Sequence, residues 1–167
     1  STQPPRGTAD WLPEEFQIRK YIFDAWRSVC VRYGYREYLT PLVESADIYR
    51  AKSGEDIGGK ELMSFFDQAG RELSIRPEMT PSVSRMIAAR RQELAYPARL
   101  YSVANFMRYE RPQRGREREF WQLNVDIFGV DEVAADAEII TMADNILREF
   151  GATDKDFVIK INNRKLI

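Results

Sequence analysis

The sequence contains no histidine and only one cysteine, Cys30, among its 167 residues. Without histidine, this stretch holds neither a Ser-His-Asp triad nor a histidine-ligated metal site. With one cysteine it forms no intrachain disulfide, which agrees with a reducing compartment. No apolar run is long enough to cross a bilayer, and no secretory signal peptide is evident. These absences predict a cytoplasmic protein that does not enter a membrane.

The charge of the chain is balanced, with 25 Lys and Arg against 26 Asp and Glu. Bulk electrostatics therefore does not predict a protein that coats nucleic acid. The length and the 44% hydrophobic content suit one domain with a substantial core. Because the chain begins with Ser1 in place of Met and ends at Ile167 without a cap or a polar tail, we expect it to be truncated.

Hydrophobic periodicity and turn residues predict helices alternating with short strands and hairpins. The helices are expected at 13–33, 45–51, 77–91 and 135–150, and the strands at 35–43, 61–67, 72–75, 98–109, 118–129 and 157–161. Pro41 cannot donate to a strand ladder, so its strand is expected at an edge, a bulge or an interface. Hairpins mixed with helices predict an α+β fold with a mainly antiparallel sheet flanked by helices.

The arginine-rich segment between the two longest strands is the most informative part of the chain. Five arginines fall between positions 108 and 118. In the strand that follows, apolar and mainly polar residues alternate, with Trp121, Leu123, Val125 and Ile127 between Phe120, Gln122, Asn124 and Asp126. A strand sends alternate residues to opposite faces, so one face is predicted to join a core and the other to display polar groups.

This polar face has two interpretations. An arginine fork matches phosphate or carboxylate geometry, and an aromatic ring stacks on a purine, which favours a nucleotide or phosphate site near Arg108 and Phe120. Alternatively, the alternating Arg and Glu residues of the loop are solvated surface charges. Spacing alone leaves both interpretations open.

A second candidate site lies at 75–81, where a predicted strand gives way to a predicted helix. Glu78 and Thr80 stand near the N-terminus of that helix. They could cap the helix or contact a ligand, and the sequence pattern does not separate these roles.

The segment 54–60 matches the glycine and lysine spacing of a phosphate-binding P-loop. Its next residue is Glu61, however, where that loop needs Ser or Thr to hold magnesium. We therefore interpret the segment as a surface loop.

Taken together, these segments resemble the catalytic domain of histidyl-tRNA synthetase, a class II aminoacyl-tRNA synthetase. Residues 38–44 resemble motif 1, the dimer-interface motif of the class, and residues 106–122 resemble motif 2. The Glu-Arg-Pro-Gln sequence at 110–113 is more typical of the histidine enzyme than of its prolyl, threonyl or glycyl relatives, and residues 76–80 also fit the family. The resemblance implies that residues 1–167 form a partial class II catalytic domain without motif 3 or an anticodon-binding domain.

The resemblance also implies a role for each candidate site residue. It implies that ATP is bound by Arg108, Glu110, Arg116 and Phe120, histidine by Glu78, Met79, Thr80, Arg108, Gln122 and Asp126, and the tRNA acceptor end by Arg111 and Gln113. Arg108 is the implied catalytic residue, since it would bridge the amino-acid carboxylate and the α-phosphate.

The implied activity is ATP-dependent activation of histidine to histidyl-adenylate and its transfer to tRNA(His). A longer homodimeric enzyme is expected to carry it out, with Mg²⁺ as a cofactor whose ligands lie outside this chain. One position departs from the family, because Glu117 stands where an aromatic residue is common. A carboxylate there is expected to weaken or reorganise the phosphate contact.

Two other functions remain open. The first is a non-catalytic paralogue, such as the regulatory subunit of ATP phosphoribosyltransferase or the synthetase-like sensing domain of certain kinases. The intact 110–113 loop argues against it, because a regulator has no need of acceptor-stem contacts. The second is a generic α+β nucleotide-binding module.

Overall fold

The structure is a computed structural model that describes residues 2–52 and 59–162. Within those ranges the elements in chain order are α1 (Pro13–Arg32), β1 (Arg36–Glu37), β2 (Val43–Ser45), α2 (Ala46–Lys52), β3 (Ser64–Phe66), β4 (Glu72–Ile75), α3 (Thr80–Ala89), β5 (Ala98–Met107), β6 (Glu119–Phe128) and α4 (Val133–Glu149). Among the strand pairs of the described residues, β1–β5 is parallel and the others are antiparallel. The predicted α+β class with mainly antiparallel pairing is confirmed.

The larger sheet has the order β1–β5–β6 and is built on the long β5–β6 hairpin. Its register runs from the pair Ala98↔Phe128 to the pair Met107↔Glu119 without a break. An unbroken ladder keeps alternate residues on fixed faces along the whole hairpin, so the register decides which side chains can meet.

The face of β6 that was predicted to join a core does so at Leu123, Val125 and Ile127, whereas Trp121 on the same face is 37% exposed. The three side chains pack against a buried cluster drawn from α1, α4, β5 and the residue before β1. That cluster consists of Phe23, Val29, Cys30, Tyr35, Tyr101, Val103 and Met142. Burying each large apolar side chain is worth roughly 1.5–3 kcal/mol, so the two long helices hold this face firmly. The opposite face is left for other contacts.

That opposite face is less polar than the alternation predicts. The rings of Phe106 and Phe120, which are cross-strand partners, stack with their centres 5.9 Å apart. They pack with Met79, Val83 and Ile87, so α3 and the residue before it cover part of this face. Cross-strand aromatic pairs add stability beyond the area they bury.

The smaller sheet has the order β2–β4–β3, and its β3–β4 hairpin confirms the prediction for 61–75. Asp67 builds the turn, because its Oδ1 accepts hydrogen bonds from the backbone N–H groups of Ala69 and Arg71, at 2.9 Å each. Gly70 has a φ of +75°, a left-handed conformation that glycine adopts without a steric penalty.

Two strand predictions are wrong. The predicted strand 35–43 is divided, since β1 pairs with β5 in the larger sheet and β2 pairs with β4 in the smaller one. Pro41 lies between them and has no N–H to continue a ladder, so the chain changes sheets there. At 157–161 no strand forms among the described residues, because no neighbouring strand lies there to accept its hydrogen bonds.

Candidate functional site

The arginine-rich loop stays attached to the hairpin beyond the ends of β5 and β6. The backbone N–H of Arg108 donates to the carbonyl of Arg118 at 2.9 Å, which adds one more rung to the ladder. Arg108 and Phe120 therefore share a face, as the sequence predicts. The guanidinium carbon of Arg108 lies 5.1 Å from the centre of the Phe120 ring, within the range of a cation–π contact.

Gly7, in the N-terminal lead-in, fixes the start of β6. Its carbonyl accepts hydrogen bonds from the N–H groups of Arg118 and Glu119 at 2.8 and 3.0 Å. Gly7 has a φ of +87°, and a Cβ at this position would lie 2.8 Å from Cγ of Arg118. Both the backbone conformation and the close approach require glycine.

Arg108 is held from two further sides. Its Nε donates to the carbonyl of Pro77 at 3.0 Å, and its Nη1 lies 3.8 Å from Oε1 of Glu110. The first contact ties the loop to the segment that precedes α3, which carries the second candidate site. A guanidinium fixed by a carbonyl, a carboxylate and a ring is preorganised to receive an anion.

Glu110 lies between two arginines. It pairs with Arg108 at 3.8 Å and with Arg116 at 2.9 Å. Two guanidinium groups around one carboxylate leave a local charge of +1, which attracts an anion. If Glu110 contacts adenine and Arg116 the distal phosphates, as the family resemblance implies, then ATP must replace the Glu110–Arg116 ion pair. These assignments to ATP stay predictions.

The tip of the loop is a tight turn. Gln113 and Arg116 exchange two backbone hydrogen bonds, at 3.1 and 2.9 Å, and Gly115 between them has a φ of +78°. Arg111 and Gln113 are exposed at this tip. A large partner can reach them there, and their contact with tRNA stays a prediction.

The segment before α3 carries Glu78 and Thr80. The helix begins at Thr80 with Met79 at its N-cap, and the Met79 side chain forms no cap hydrogen bond. The capping and ligand interpretations of Glu78 and Thr80 both stay predictions. Glu78 and Thr80 both line a cavity of about 730 Å³ between α2 and α3.

Met79 does not contact a ligand through its side chain. It is 1% exposed, and it packs with Val83 and Phe106 in the core while its sulfur accepts a hydrogen bond from the Thr40 hydroxyl at 3.2 Å. The predicted histidine contact at Met79 is thus wrong for the side chain, because a core residue cannot also line an open site.

Gln122 and Asp126 lie on the same face of β6 as Phe120. They pair across the hairpin with Ala104 and Leu100. Burial raises the pKa of the Asp126 carboxyl, and a nearby tyrosine hydroxyl, that of Tyr38, partly opposes the rise. The alternating row from Phe120 to Asp126 extends over roughly 20 Å, enough for an extended ligand. The contact of Gln122 and Asp126 with histidine stays a prediction.

Sequence reasoning missed two residues beside the site. Arg76 is 4% exposed, and its guanidinium donates three hydrogen bonds inside the fold. Tyr38 faces Asp126. In the predicted strand 35–43, Tyr38 lies on the face of the even-numbered residues. Which face of that strand meets the site cannot be decided until its neighbouring strand is known.

Metal binding, membrane insertion and the P-loop match can each be compared with the described part of the chain. Within residues 2–52 and 59–162, no group of three His, Cys, Asp or Glu side chains is placed to hold a metal ion. In those same ranges no helix is both long and apolar enough to cross a membrane. Residues 54–58 of the rejected P-loop match lie outside the described residues.

The hairpin with its arginine loop, backed by two helices, is the architecture of a class II aminoacyl-tRNA synthetase. Histidyl-tRNA synthetase from S. aureus has the same fold, with a TM-score of 0.75 and 29% identity over 90% of this chain and 35% of that one. A protein from Bacillus halodurans C, described as an ATP phosphoribosyltransferase regulatory subunit/histidyl-tRNA synthetase, gives a TM-score of 0.81 and 29% identity over 92% of this chain and 39% of that one.

A model of the histidyl-tRNA synthetase family matches residues 7–167, so the chain belongs to that family. It is 48% identical over its whole length to histidine–tRNA ligase from Leptospira biflexa. It is 45% identical over 161 residues, or 96% of its length, to the same ligase from Methanocaldococcus jannaschii. The chain spans 38% of the length of each of these curated relatives.

Proposed function

We propose that this chain is the part of a histidine–tRNA ligase that binds ATP and histidine and forms histidyl-adenylate, for transfer to tRNA(His). The observation that carries the proposal is the arrangement of Arg108, fixed between the Pro77 carbonyl and the Phe120 ring at the mouth of the hairpin. The 48% identity to a histidine–tRNA ligase over the whole chain supports it.

In the proposed reaction a carboxylate oxygen of histidine attacks the α-phosphorus of ATP. A new P–O bond forms, the bond to the β-phosphate breaks, and pyrophosphate leaves. Negative charge is shared among the phosphate oxygens during this in-line transfer. Arg108 is already fixed in the fold, so it offsets that charge without reorganising, and it stabilises the transition state more than the ground state.

The groups around Arg108 are assigned to the two substrates. Phe120 stacks on the adenine ring, Glu110 accepts from its exocyclic amine, and Arg116 pairs with the distal phosphates. Arg116 has a side chain that is 64% exposed, so it can leave Glu110 at small cost when ATP enters.

Histidine is assigned to the remaining residues. Glu78 and Thr80 hold the α-amino group, and the half-buried row of Gln122 and Asp126 receives the imidazole. The bond from Arg108 to Pro77, the residue before Glu78, supports a carboxylate site beside Glu78. Arg111 and Gln113, at the exposed loop tip, are assigned to the acceptor end of tRNA(His).

Magnesium accompanies ATP in this proposal and neutralises phosphate charge when bound. Glu110 is the carboxylate that pairs with Arg108 and Arg116. Within residues 2–52 and 59–162, no three His, Cys, Asp or Glu side chains are placed to hold a metal ion. From the family resemblance we propose that the protein's magnesium ligands lie outside this chain.

Calorimetric titration with a non-hydrolysable histidyl-adenylate analogue tests the proposal. The chain should bind the analogue, and Arg108→Ala should lose at least tenfold in affinity because a charged contact to phosphate is removed. Arg114→Ala is the matched control, since Arg114 is an exposed arginine of the same loop with no assigned role. Equal affinity in the Arg108 variant, or an equal loss in both variants, would contradict the proposal.

A regulatory paralogue is the second candidate, because the B. halodurans structure carries both descriptions. Such a protein would bind histidine as an effector and have no use for ATP. Titration with histidine alone, then with ATP, separates the two. Histidine binding that is insensitive to Arg108→Ala, with no binding of ATP or the analogue, would favour the regulator.

A homodimer through the loop between β1 and β2 is part of the proposal. Leu39 is 68% exposed and Leu42 45% exposed, on either side of Pro41. Exposed apolar side chains in one loop suit burial against a second copy. Sedimentation equilibrium should detect a dimer that Leu39→Glu weakens, whereas Glu93→Gln, on a distant exposed loop, should leave it unchanged.

A cytoplasmic location is also proposed, because tRNA charging serves protein synthesis there. The one cysteine of the chain is buried and unpaired, as suits a reducing compartment.

A further inference from the structure

A row of buried polar groups crosses the site face of the larger sheet. Tyr38 follows β1, and its N–H donates to the carbonyl of Tyr101 at 2.9 Å, so Tyr38 lies beside β5. On the next strand Ser102 is paired with Asn124 of β6. Asp126 is two positions further along β6 and therefore shares the face of Asn124. Three strands thus bring these side chains together.

The polar atoms of this row are not consumed by the fold. The Tyr38 hydroxyl, the Ser102 hydroxyl and Nδ2 of Asn124 are buried without a hydrogen-bond partner among the described residues. Ser102 is fully buried, at 0% exposure. Buried polar atoms normally have hydrogen-bond partners. Three unpaired ones in one place therefore indicate that this face binds a polar group.

The members of the row affect one another's pKa values. Burial raises the pKa of the Tyr38 hydroxyl, and Ser102 partly opposes that rise by donating toward it. Burial also raises the pKa of the Asp126 carboxyl, and Tyr38 opposes that rise in the same way. Neither the Ser102 nor the Tyr38 hydroxyl has a hydrogen-bond partner among the described residues. Because an ionised carboxylate only accepts hydrogen bonds, Tyr38 is the member of the row that can donate toward Asp126.

We propose that Tyr38 is a positioning residue whose hydroxyl orients the Asp126 carboxylate toward the side chain of bound histidine. This inference rests on the proposed function, because it concerns the same amino-acid site. An ionised carboxylate accepts a hydrogen bond from imidazole and pairs with imidazolium, whereas a protonated one loses the charge for that pairing. Tyr38 thereby sets the pH range in which the site binds histidine.

Other charged groups lie near the row. Arg76, from the segment before α3, acts on Tyr38 and favours its ionised form. The carboxylates that line a cavity of about 590 Å³ together with Asp126 are Asp131, Glu132 and Asp136. All of these groups are retained when the Tyr38 hydroxyl alone is removed, so a comparison with Tyr38→Phe cancels their effects.

The direct test is the titration of Asp126 by carboxyl ¹³C NMR in the 167-residue chain without ligand, with the signal assigned from Asp126→Asn. Tyr38→Phe keeps the ring and its packing and removes only the donor. We expect the pKa of Asp126 to rise by about one pH unit in this variant. Tyr21→Phe is the control, since Tyr21 is exposed on α1 and should leave the Asp126 titration unchanged.

The second measurement is the pH dependence of histidine affinity by calorimetry. Tyr38→Phe should bind as tightly as the wild type well above the pKa of Asp126, and its acid limb should move up by the same pH interval as the NMR titration. The ionisation of histidine itself is common to both chains and cancels. A merely structural role would lower affinity equally at every pH.

The outcomes separate this inference from the function on which it rests. An unchanged pKa of Asp126 in Tyr38→Phe overturns the inference, and so does a loss of histidine affinity that is uniform with pH. A shifted pKa and a shifted acid limb together support it. A shifted pKa with no histidine binding by either chain supports the Tyr38–Asp126 contact but overturns its assignment to histidine, and with it the proposed function.

Discussion

The guanidinium of Arg76 donates two hydrogen bonds to Asn105, from Nε to the backbone oxygen at 2.9 Å and from Nη2 to the side-chain oxygen at 3.2 Å. Its Nη1 donates to the carbonyl of Thr40 at 2.9 Å. Burial lowers the pKa of Arg76 because it disfavours the charged form, and these hydrogen bonds offset part of that cost. One side chain thus joins the loop before β2 to the strand that leads into Arg108.

Arg76→Met should lower the free energy of unfolding by about 3 kcal/mol. The change keeps an unbranched apolar side chain but leaves the Thr40 and Asn105 oxygens buried without their donor, at about 1–3 kcal/mol for such groups. Urea unfolding followed by tryptophan fluorescence measures the loss. The control Arg90→Met removes an exposed arginine with a 3.5 Å ion pair and should change stability by less than about 0.5 kcal/mol. Equal stability of the two variants would contradict this account of Arg76.

Arg108→Lys should weaken binding of the histidyl-adenylate analogue by about 10- to 100-fold while leaving the chain folded. Lysine keeps the positive charge but lacks the planar fork and cannot both donate to Pro77 and face a phosphate. Calorimetry with the analogue measures the change, and Arg114→Lys in the same loop serves as the control. Full affinity with lysine at position 108 would show that charge alone is required.

Glu138→Gln should make stability less dependent on pH in the acid range. Glu138 accepts hydrogen bonds from Nε of Arg99 at 2.7 Å and from the Tyr35 hydroxyl at 2.8 Å, and Arg99 in particular lowers its pKa. Because the folded-state pKa is lowered, ionised Glu138 stabilises the fold fully above the unfolded-state pKa of about 4.3. This stabilisation is lost as the pH falls through the folded-state pKa.

Urea midpoints at pH 7 and pH 3 test this sign. The wild type should lose more stability over the interval than Glu138→Gln, whose amide does not titrate. Glu14→Gln, on the exposed first turn of α1, should behave like the wild type. A larger acid loss in Glu138→Gln than in the wild type would reverse the predicted sign.

Cys30 should react very slowly with a thiol reagent in the native chain. It is fully buried, and burial raises the pKa of its thiol to about 11. At pH 8 the smaller thiolate fraction alone slows the reaction by about 100-fold relative to an unfolded chain, and burial slows it further. Absorbance of released thionitrobenzoate, in buffer and in urea, measures both rates, and Cys30→Ser gives the background. Equal rates in buffer and urea would show that Cys30 is accessible in the folded state.

Part of the fold and of the site could be predicted because the information is local. The alternation from Phe120 to Ile127 predicts a core on one face, and Leu123, Val125 and Ile127 on that face pack with residues of α1 and α4. Proline and glycine mark the ends of α1, and the turn at 67–70 follows from Asp67 and Gly70. Each pattern expresses a preference of the backbone or a periodicity within one segment.

The errors arise where distant segments decide the outcome. Residues 35–43 have the composition of a strand, but the two sheets on either side of Pro41 divide it. Residues 157–161 also have the composition of a strand, but within the described chain no strand lies beside them to complete a ladder. Strand propensity is a weak local preference, and the partner supplies the hydrogen bonds.

The sequence by itself determined the family, the long hairpin and the arginine loop, because these depend on the order and spacing of residues within single segments. Only the tertiary structure decided that Met79 packs in the core while Glu78 lines a cavity, and that Tyr38 lies beside β5 in the sheet that carries Asp126. Such contacts depend on the register between strands far apart in sequence. A one-residue shift in that register would turn every side chain to the other face, and the pattern within one segment does not identify its partner strand.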